Sequence, residues 1–408
     1  MKKLPFVAAG ALAIPFAALV ACGTDNGENV YGQQFGPPPT RPDGAGVEAA
    51  DDGGPVPQTD GGQDGEAGPC AEPGTIAVLA GNDTSLTASI QIDGGAWSGA
   101  AIPGAAAKGL PALVKHGAGF LGVTAGVGDA LQSVVYTTSW SAPASVGVAN
   151  VKLSPSLAVV GAKAHVVYVA GAGANRDFYH GIYDASWDAA SDPVGSPQSF
   201  GNSAAALAAA GTDLAFAQAG SDNGLYVRTW NGAWSSAAGV NGAGADEVAA
   251  PAFAAVDGKY DLVLVYARND TKKVEWTARD ATTKAFTPPA LVNASPTTYA
   301  ATIKPISLVR VGQFTLLMTF MGTDDKGYYV SGTLGATSIA WSSPAPIVAG
   351  GVTVDSTPRA AKGVCGDDGI FVYASAGQVR AVRLRGSSLS APEPVAGASG
   401  SRVSVASR

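Results

Sequence analysis

Three cysteines, three histidines and three methionines in 408 residues leave little material for metal or redox chemistry. The histidines, His116, His165 and His180, stand at unlike positions with no spacing that sets two of them on one face beside a carboxylate, which argues against a histidine-built metal site. Charge of one sign is also scarce. Lys and Arg number 25 against 32 Asp and Glu, so no basic stripe exists to grip a polyanion, and nucleic acid is excluded as a partner. Residues 71–408 lack any helical hydrophobic period, which removes the helix bundles. Beyond the first 22 residues no uninterrupted apolar run suggests a membrane segment.

What the chain does have begins with MKKLPFVAAGALAIPFAALVAC, where Lys2 and Lys3 precede an apolar run too short and too Ala-rich for a comfortable span, ending at Cys22. This pattern predicts an export signal over residues 1–21. Leu19, Val20, Ala21 and Cys22 resemble the bacterial lipobox, and the resemblance implies cleavage before Cys22 and attachment of diacylglycerol to its sulfur. Gly23, rather than Asp, follows the cysteine. By the enterobacterial sorting rule that implies a lipid-anchored protein of the cell envelope, delivered to the outer membrane.

Residues 22–70 read as a tether. From Gly23 to Pro69 there are 19 Gly plus Pro, nine acids and one base, Arg41, with almost nothing to build a core. Such a segment cannot recover its ordering entropy by burial, and the expectation is disorder with a reach of roughly 35–40 Å. Taking the tether's nine acids and one base and the two signal lysines from the totals of 32 and 25 leaves 23 acids and 22 bases over residues 71–408. A nearly neutral folded part points to neutral molecules or specific protein surfaces as partners.

Residues 71–408 carry short alternating runs rich in Val, Ala, Tyr and Leu between Gly, Asn and Asp turns, the signature of an all-β chain. A period organises them. Each copy starts with a Pro and a short apolar strand, passes a Gly turn, a stronger β-run and a polar turn, then reaches an aromatic strand and a Trp among small residues. The terminal landmarks fall at Trp97, Trp140, Trp187, Trp234, Phe286, Trp341 and Leu389, spaced by 43, 47, 47, 52, 55 and 48 residues. A period of about 40–50 residues with four strands predicts a β-propeller, here of seven blades.

The first copy lacks its leading strand and begins with GTIAVLAG (Gly74 to Gly81), while SRVSVASR (Ser401 to Arg408) is a strand left over at the end. Pairing the two closes the ring and removes its open edges. Closure also brings Cys70 toward Cys365, and export places both in an oxidising compartment, so a Cys70–Cys365 disulfide is expected. Locking so long a loop adds on the order of 4–5 kcal/mol in the chain-entropy model.

In LYVRTW, alternation sets Tyr226, Arg228 and Trp230 on one face of a strand, an aromatic and cationic surface suited to a sugar ring and its hydroxyls. Trp234, recurring at the landmark position, reads as packing between blades. LYVRTWNGAWSS resembles the repeats of bacterial and fungal propeller lectins, including fucose-specific ones. VYARNDTKKVEWTARD is similar in placing Arg268 on one strand and Glu275 with Trp276 on the next. The resemblance implies a sugar between adjacent blades, held by Arg, Glu and an aromatic ring. QIDGGAW and VVYTTSW depart from the pattern by lacking both Arg and Glu.

Sialidases also use propellers. QIDGGAW is one residue short of a sialidase box, and no R-I-P segment is present; the acids Asp177, Asp261, Glu275 and Asp367 have no evident pairing for glycoside hydrolysis. Asp324, Asp325, Asp367 and Asp368 lie in turns, where Asp serves backbone geometry. GAGANR (Gly171 to Arg176) joins two strands instead of opening a helix, unlike a phosphate loop. The leading expectation is a non-catalytic, membrane-tethered, monomeric binding module for a glycan or protein ligand, without metal or cofactor. An envelope scaffold and, third, a sialidase-like hydrolase stay open.

Overall fold

The structure, a computed structural model, describes residues 74–408 apart from 173–174, 189–191, 195–203, 247–248 and 293–303. The signal segment, Cys22, the tether and Cys70 lie outside the described residues. Seven antiparallel sheets of four or five strands follow one another along the chain, and they form a seven-bladed β-propeller. Among the described residues the helical content is one three-residue turn, Val127–Asp129.

The first blade is assembled from both ends of the folded region. Arg402–Ser407 is its inner strand and pairs antiparallel with Thr75–Asn82, with Val78 opposite Val405. The expected closure is thus present residue by residue. Each inner strand touches the inner strand of the next blade, and the series returns from Arg402–Ser407 to Ala112–His116 of blade 2. The ring of inner strands surrounds a central channel of ≈ 270 Å³.

Second strands read as continuous apolar runs. In YDLVLVYA (Tyr260–Ala267) every residue but Asp261 is buried, because a sheet stacked between two others is covered on both faces. The core accordingly divides into seven apolar clusters, one between each pair of neighbouring blades. Every landmark packs into the cluster shared with the preceding blade. Trp234 sits in the blade 3–4 cluster, Trp187 in 2–3, and Trp97 closes 7–1. The tight turns between inner and second strands use Gly161 and Gly211, whose φ of 61° and 64° lies in the left-handed region open to glycine.

The residue after each landmark explains the recurring Trp-Ser pairs. Ser235 N–H donates to the Thr229 carbonyl at 2.8 Å, and the Thr229 N–H donates back to Ser235 Oγ at 3.0 Å. The hydroxyl therefore replaces a backbone carbonyl where the outer strand bends away. The same reciprocal pair recurs at Ser141, Thr287, Ser342 and Ser390, and at Asp188, whose carboxylate accepts from Ile182 at 2.9 Å.

Candidate functional site

The six residues singled out in the sequence fall on three different blade interfaces. Tyr226, Arg228 and Trp230 lie on one face of Gly224–Trp230, as alternation required, and that face turns toward blade 3. Arg268 and Glu275 face blade 4. Trp276 points the opposite way into the blade 5–6 cluster, where it is 9% exposed and packs against Trp341. Arg268 and Glu275 are separated from Trp276 by the parity of the strand, since adjacent residues in a strand point to opposite sides.

The local partners of these residues are internal. Trp230 stands edge-on to the rings of His165 and His180, at centroid distances of 4.9 and 5.3 Å. Those two histidines, whose sequence spacing gave no sign of a shared face beside a carboxylate, come together on the paired strands Lys163–Ala172 and Asn175–Asp184. Their rings stack, Nδ1 of His165 lies 2.9 Å from Nε2 of His180, and both are buried. Burial, followed by the neighbouring His165, depresses His180 to about 3, so the pair is neutral. No group of three metal-ligating side chains occurs among the described residues. Arg228 is buried and donates to the Ser235 carbonyl at 3.1 Å.

Tyr226 and Glu275 occupy equivalent register positions near the start of the third strand of blades 4 and 5, and each closes the hairpin beneath it. The Tyr226 hydroxyl donates to the Asp222 carboxylate, and in blade 6 Tyr328 donates to Asp324 at 2.8 Å. Blade 5 uses other groups in the same place. Arg268 donates to Asp270 at 2.8 Å and to Glu275 at 2.9 Å, while the Tyr266 hydroxyl donates to the other Glu275 oxygen at 2.5 Å. Burial and the hydrogen bond to Glu275 push the Tyr266 hydroxyl well above its ordinary value, so it stays a donor.

Of the remaining acids, Asp261 takes a bidentate bond from buried Arg279 at 2.8 Å and 2.8 Å, and Asp367 pairs with Arg383 at 2.9 Å. Asp177 is exposed on the third strand of blade 3. Cys365 is disulfide-bonded. Cys70, the partner expected for it, lies outside the described residues.

Open space lies elsewhere. Three clefts occupy equivalent positions between blades 1 and 2, 2 and 3, and 6 and 7, with volumes of ≈ 680, ≈ 680 and ≈ 500 Å³. The first is walled by Ile90 and Ile92 on one side and by Tyr136 and Trp140 on the other. In the second, Tyr183 and Trp187 face Ser133, Ser141 and Ser145; Trp187 Nε1 donates to Ser133 Oγ at 2.9 Å across the interface. The third combines Tyr329 with Thr315, Ser331, Thr333 and Ser342. The acids at their walls, Asp188 and Asp368, are held by backbone N–H groups of Ile182 and Gly386. These clefts went unread in the sequence because their walls come from residues about 50 positions apart. The repeated Tyr-x-x-x-Trp of blades 2 and 3 was the available signal.

No protein-family model matches this sequence, and no curated protein matches it. Solved structures do resemble the fold. The BP39L lectin from Burkholderia pseudomallei superposes with a TM-score of 0.63 at 14% identity, over 80% of this chain and 97% of that one. A triple arginine-to-alanine variant of AofleA from Arthrobotrys oligospora gives 0.50 at 14% identity, over 73% and 88%. The likeness at this identity is one of architecture: this chain is a β-propeller of the shape that lectins also use.

Proposed function

We propose that this protein is a membrane-tethered, extracytoplasmic propeller that binds neutral glycans in its interblade clefts without chemically altering them. The carrying observation is the threefold recurrence of a cleft with a half-buried aromatic ring beside a row of hydroxyls. A pyranose offers an apolar C–H face and a rim of hydroxyls, which such a wall matches. The near neutrality of the folded region and the engagement of Asp188 and Asp368 by backbone favour an uncharged sugar. Similarity of fold to a lectin supports the reading.

Binding is favoured over hydrolysis by the state of the acids. Glycoside hydrolysis needs one carboxylic acid held protonated near neutral pH. Asp129, Asp222, Asp261, Asp270, Asp280 and Asp324 are all shifted downward, away from that requirement. Lipidation at Cys22 and the tether of residues 22–70 complete the proposal by holding the disc off the membrane, in the outer membrane of the envelope.

The mature protein applied to an array of neutral glycans should retain at least one saccharide. Combined replacement of Tyr136, Tyr183 and Tyr329 by Ala should weaken that binding at least tenfold, with cooperative melting preserved. An array without any retained glycan, or full retention by the folded triple variant, would overturn the reading. The companion pair Trp230→Ala and Glu275→Ala reports on the residues that resemble lectin repeats.

A further inference from the structure

The central channel carries a feature that the interblade clefts do not explain. Antiparallel register puts one residue of each inner strand at the same height, and in blade 7 that residue is Arg359. Its neighbours at this level are Ser307 of blade 6 and Ser404 of blade 1, and the other four blades contribute Ala112, Ser156, Ala206 and Ala252. All seven line the channel. Six small residues keep the channel open at this height, and the seventh is the only charged side chain on its wall among the described residues.

Arg359 has no carboxylate partner among the described residues. Its one hydrogen bond goes from Nη1 to the Ile306 carbonyl at 3.3 Å, which leaves most of its five donors unused. The hydroxyls of Ser156, Ser307 and Ser404 likewise make no hydrogen bond to the described protein. Prolines and alanines, among them Pro155, Pro251, Pro305 and Ala360, make up much of the rest of the wall. Removal from water brings the guanidinium down to about 10, still fully charged at neutral pH. Arg359 is half-buried on the channel wall, so its guanidinium faces the channel space with its charge not matched by a carboxylate among the described residues.

We propose that the channel is a binding site for a small carboxylate, anchored on Arg359 and flanked by the hydroxyls of Ser307 and Ser404. A guanidinium presents a planar fork that matches the two oxygens of a carboxylate. One positive charge without a second cation on the channel wall matches a monoanion; a doubly charged phosphate would leave one charge uncompensated. A volume of ≈ 270 Å³ admits a molecule of a few heavy atoms.

The test uses the mature full chain with sodium acetate as probe and sodium chloride at matched ionic strength as reference, followed by titration calorimetry and by ¹³C-acetate line broadening. Acetate should bind, and chloride should not displace it at equal concentration. Arg359→Gln should weaken acetate at least tenfold, and Ser404→Ala two- to fivefold. Unchanged acetate affinity in folded Arg359→Gln overturns the site, as does equal binding of chloride and acetate to the unaltered protein. If Arg359→Gln fails to melt cooperatively, Arg359→Lys decides. It keeps the charge and removes the fork, so preserved preference for acetate over chloride would overturn the carboxylate assignment. The glycan array is indifferent to these variants, so this proposal and the cleft reading fail separately.

Discussion

At the scale of single residues, the buried pair His165 and His180 has a measurable consequence. The charged groups acting on it are Asp188, which raises His165, and Lys163, which lowers it; Trp230 and Trp234 cover the rings from blade 4. Burial outweighs the acid, and both histidines titrate below their unfolded value of about 6.5. The unfolded chain therefore binds more protons than the folded one as pH drops through 6.5, and stability falls with it. Carboxylates with lowered values do not contribute until pH nears 4, so the window from 6.5 to 5 belongs to the histidines. Denaturant unfolding at pH 7 and pH 5 should differ by about 2 kcal/mol for His180, from a slope of about 1.4 kcal/mol per pH unit. A His180→Gln variant should lose that share of the dependence, and an unchanged slope would remove the pair as its source.

At the scale of the element, the hairpin between second and third strands takes two versions in blades 4, 5 and 6. Blades 4 and 6 use Gly-x-Asp-x-x-x-Tyr, with Gly220 and Gly322 beside the clasping tyrosine. A Cβ added at Gly322 would stand 2.6 Å from Asp324 Oδ1 and 2.8 Å from the Tyr328 ring, so the glycine makes room for the clasp. Blade 5 has Arg268 where the glycine was and Glu275 where the tyrosine was, and the carboxylate leaves space for the larger residue. Gly322→Ala should displace the ring and cost about 1–3 kcal/mol in chemical unfolding, the ordinary range for overpacking. A neutral result would show that the ring yields freely. Composition disclosed these residues as aromatic, basic and acidic, and the lectin likeness suggested a sugar for them. Their hydrogen bonds show Tyr226, Arg268 and Glu275 tying turns, while strand alternation already separates Glu275 from Trp276.

At the scale of the whole molecule, stability rests on the joint between the two ends. Arg402–Ser407 supplies Val403 and Val405 to the blade 7–1 cluster and covers the edge of Thr75–Asn82. Trp97 Nε1 of blade 1 donates to Glu393 of blade 7 at 3.0 Å across the same joint, and Arg383 of blade 7, which also donates to Glu393, reaches Gln91 of blade 1 at 2.7 Å. Removing residues 402–408 should cost about 3–6 kcal/mol from the two valines alone and open an edge strand to self-association. Calorimetry would register this as a lower melting temperature with loss of reversibility, and an unaltered transition would contradict closure at this strand.

The all-β class, the seven copies and the closing strand were settled by the sequence alone, because blade stacking demands apolar strands at a regular period and leaves a countable landmark in each. Tertiary structure decided where the space is. Clefts and channel are made from residues of separate blades meeting at one height, and a side chain's neighbours across an interface depend on register and strand parity. Those long-range relations place Arg359 in the channel and Trp230 against two histidines, and no local pattern of residues encodes them.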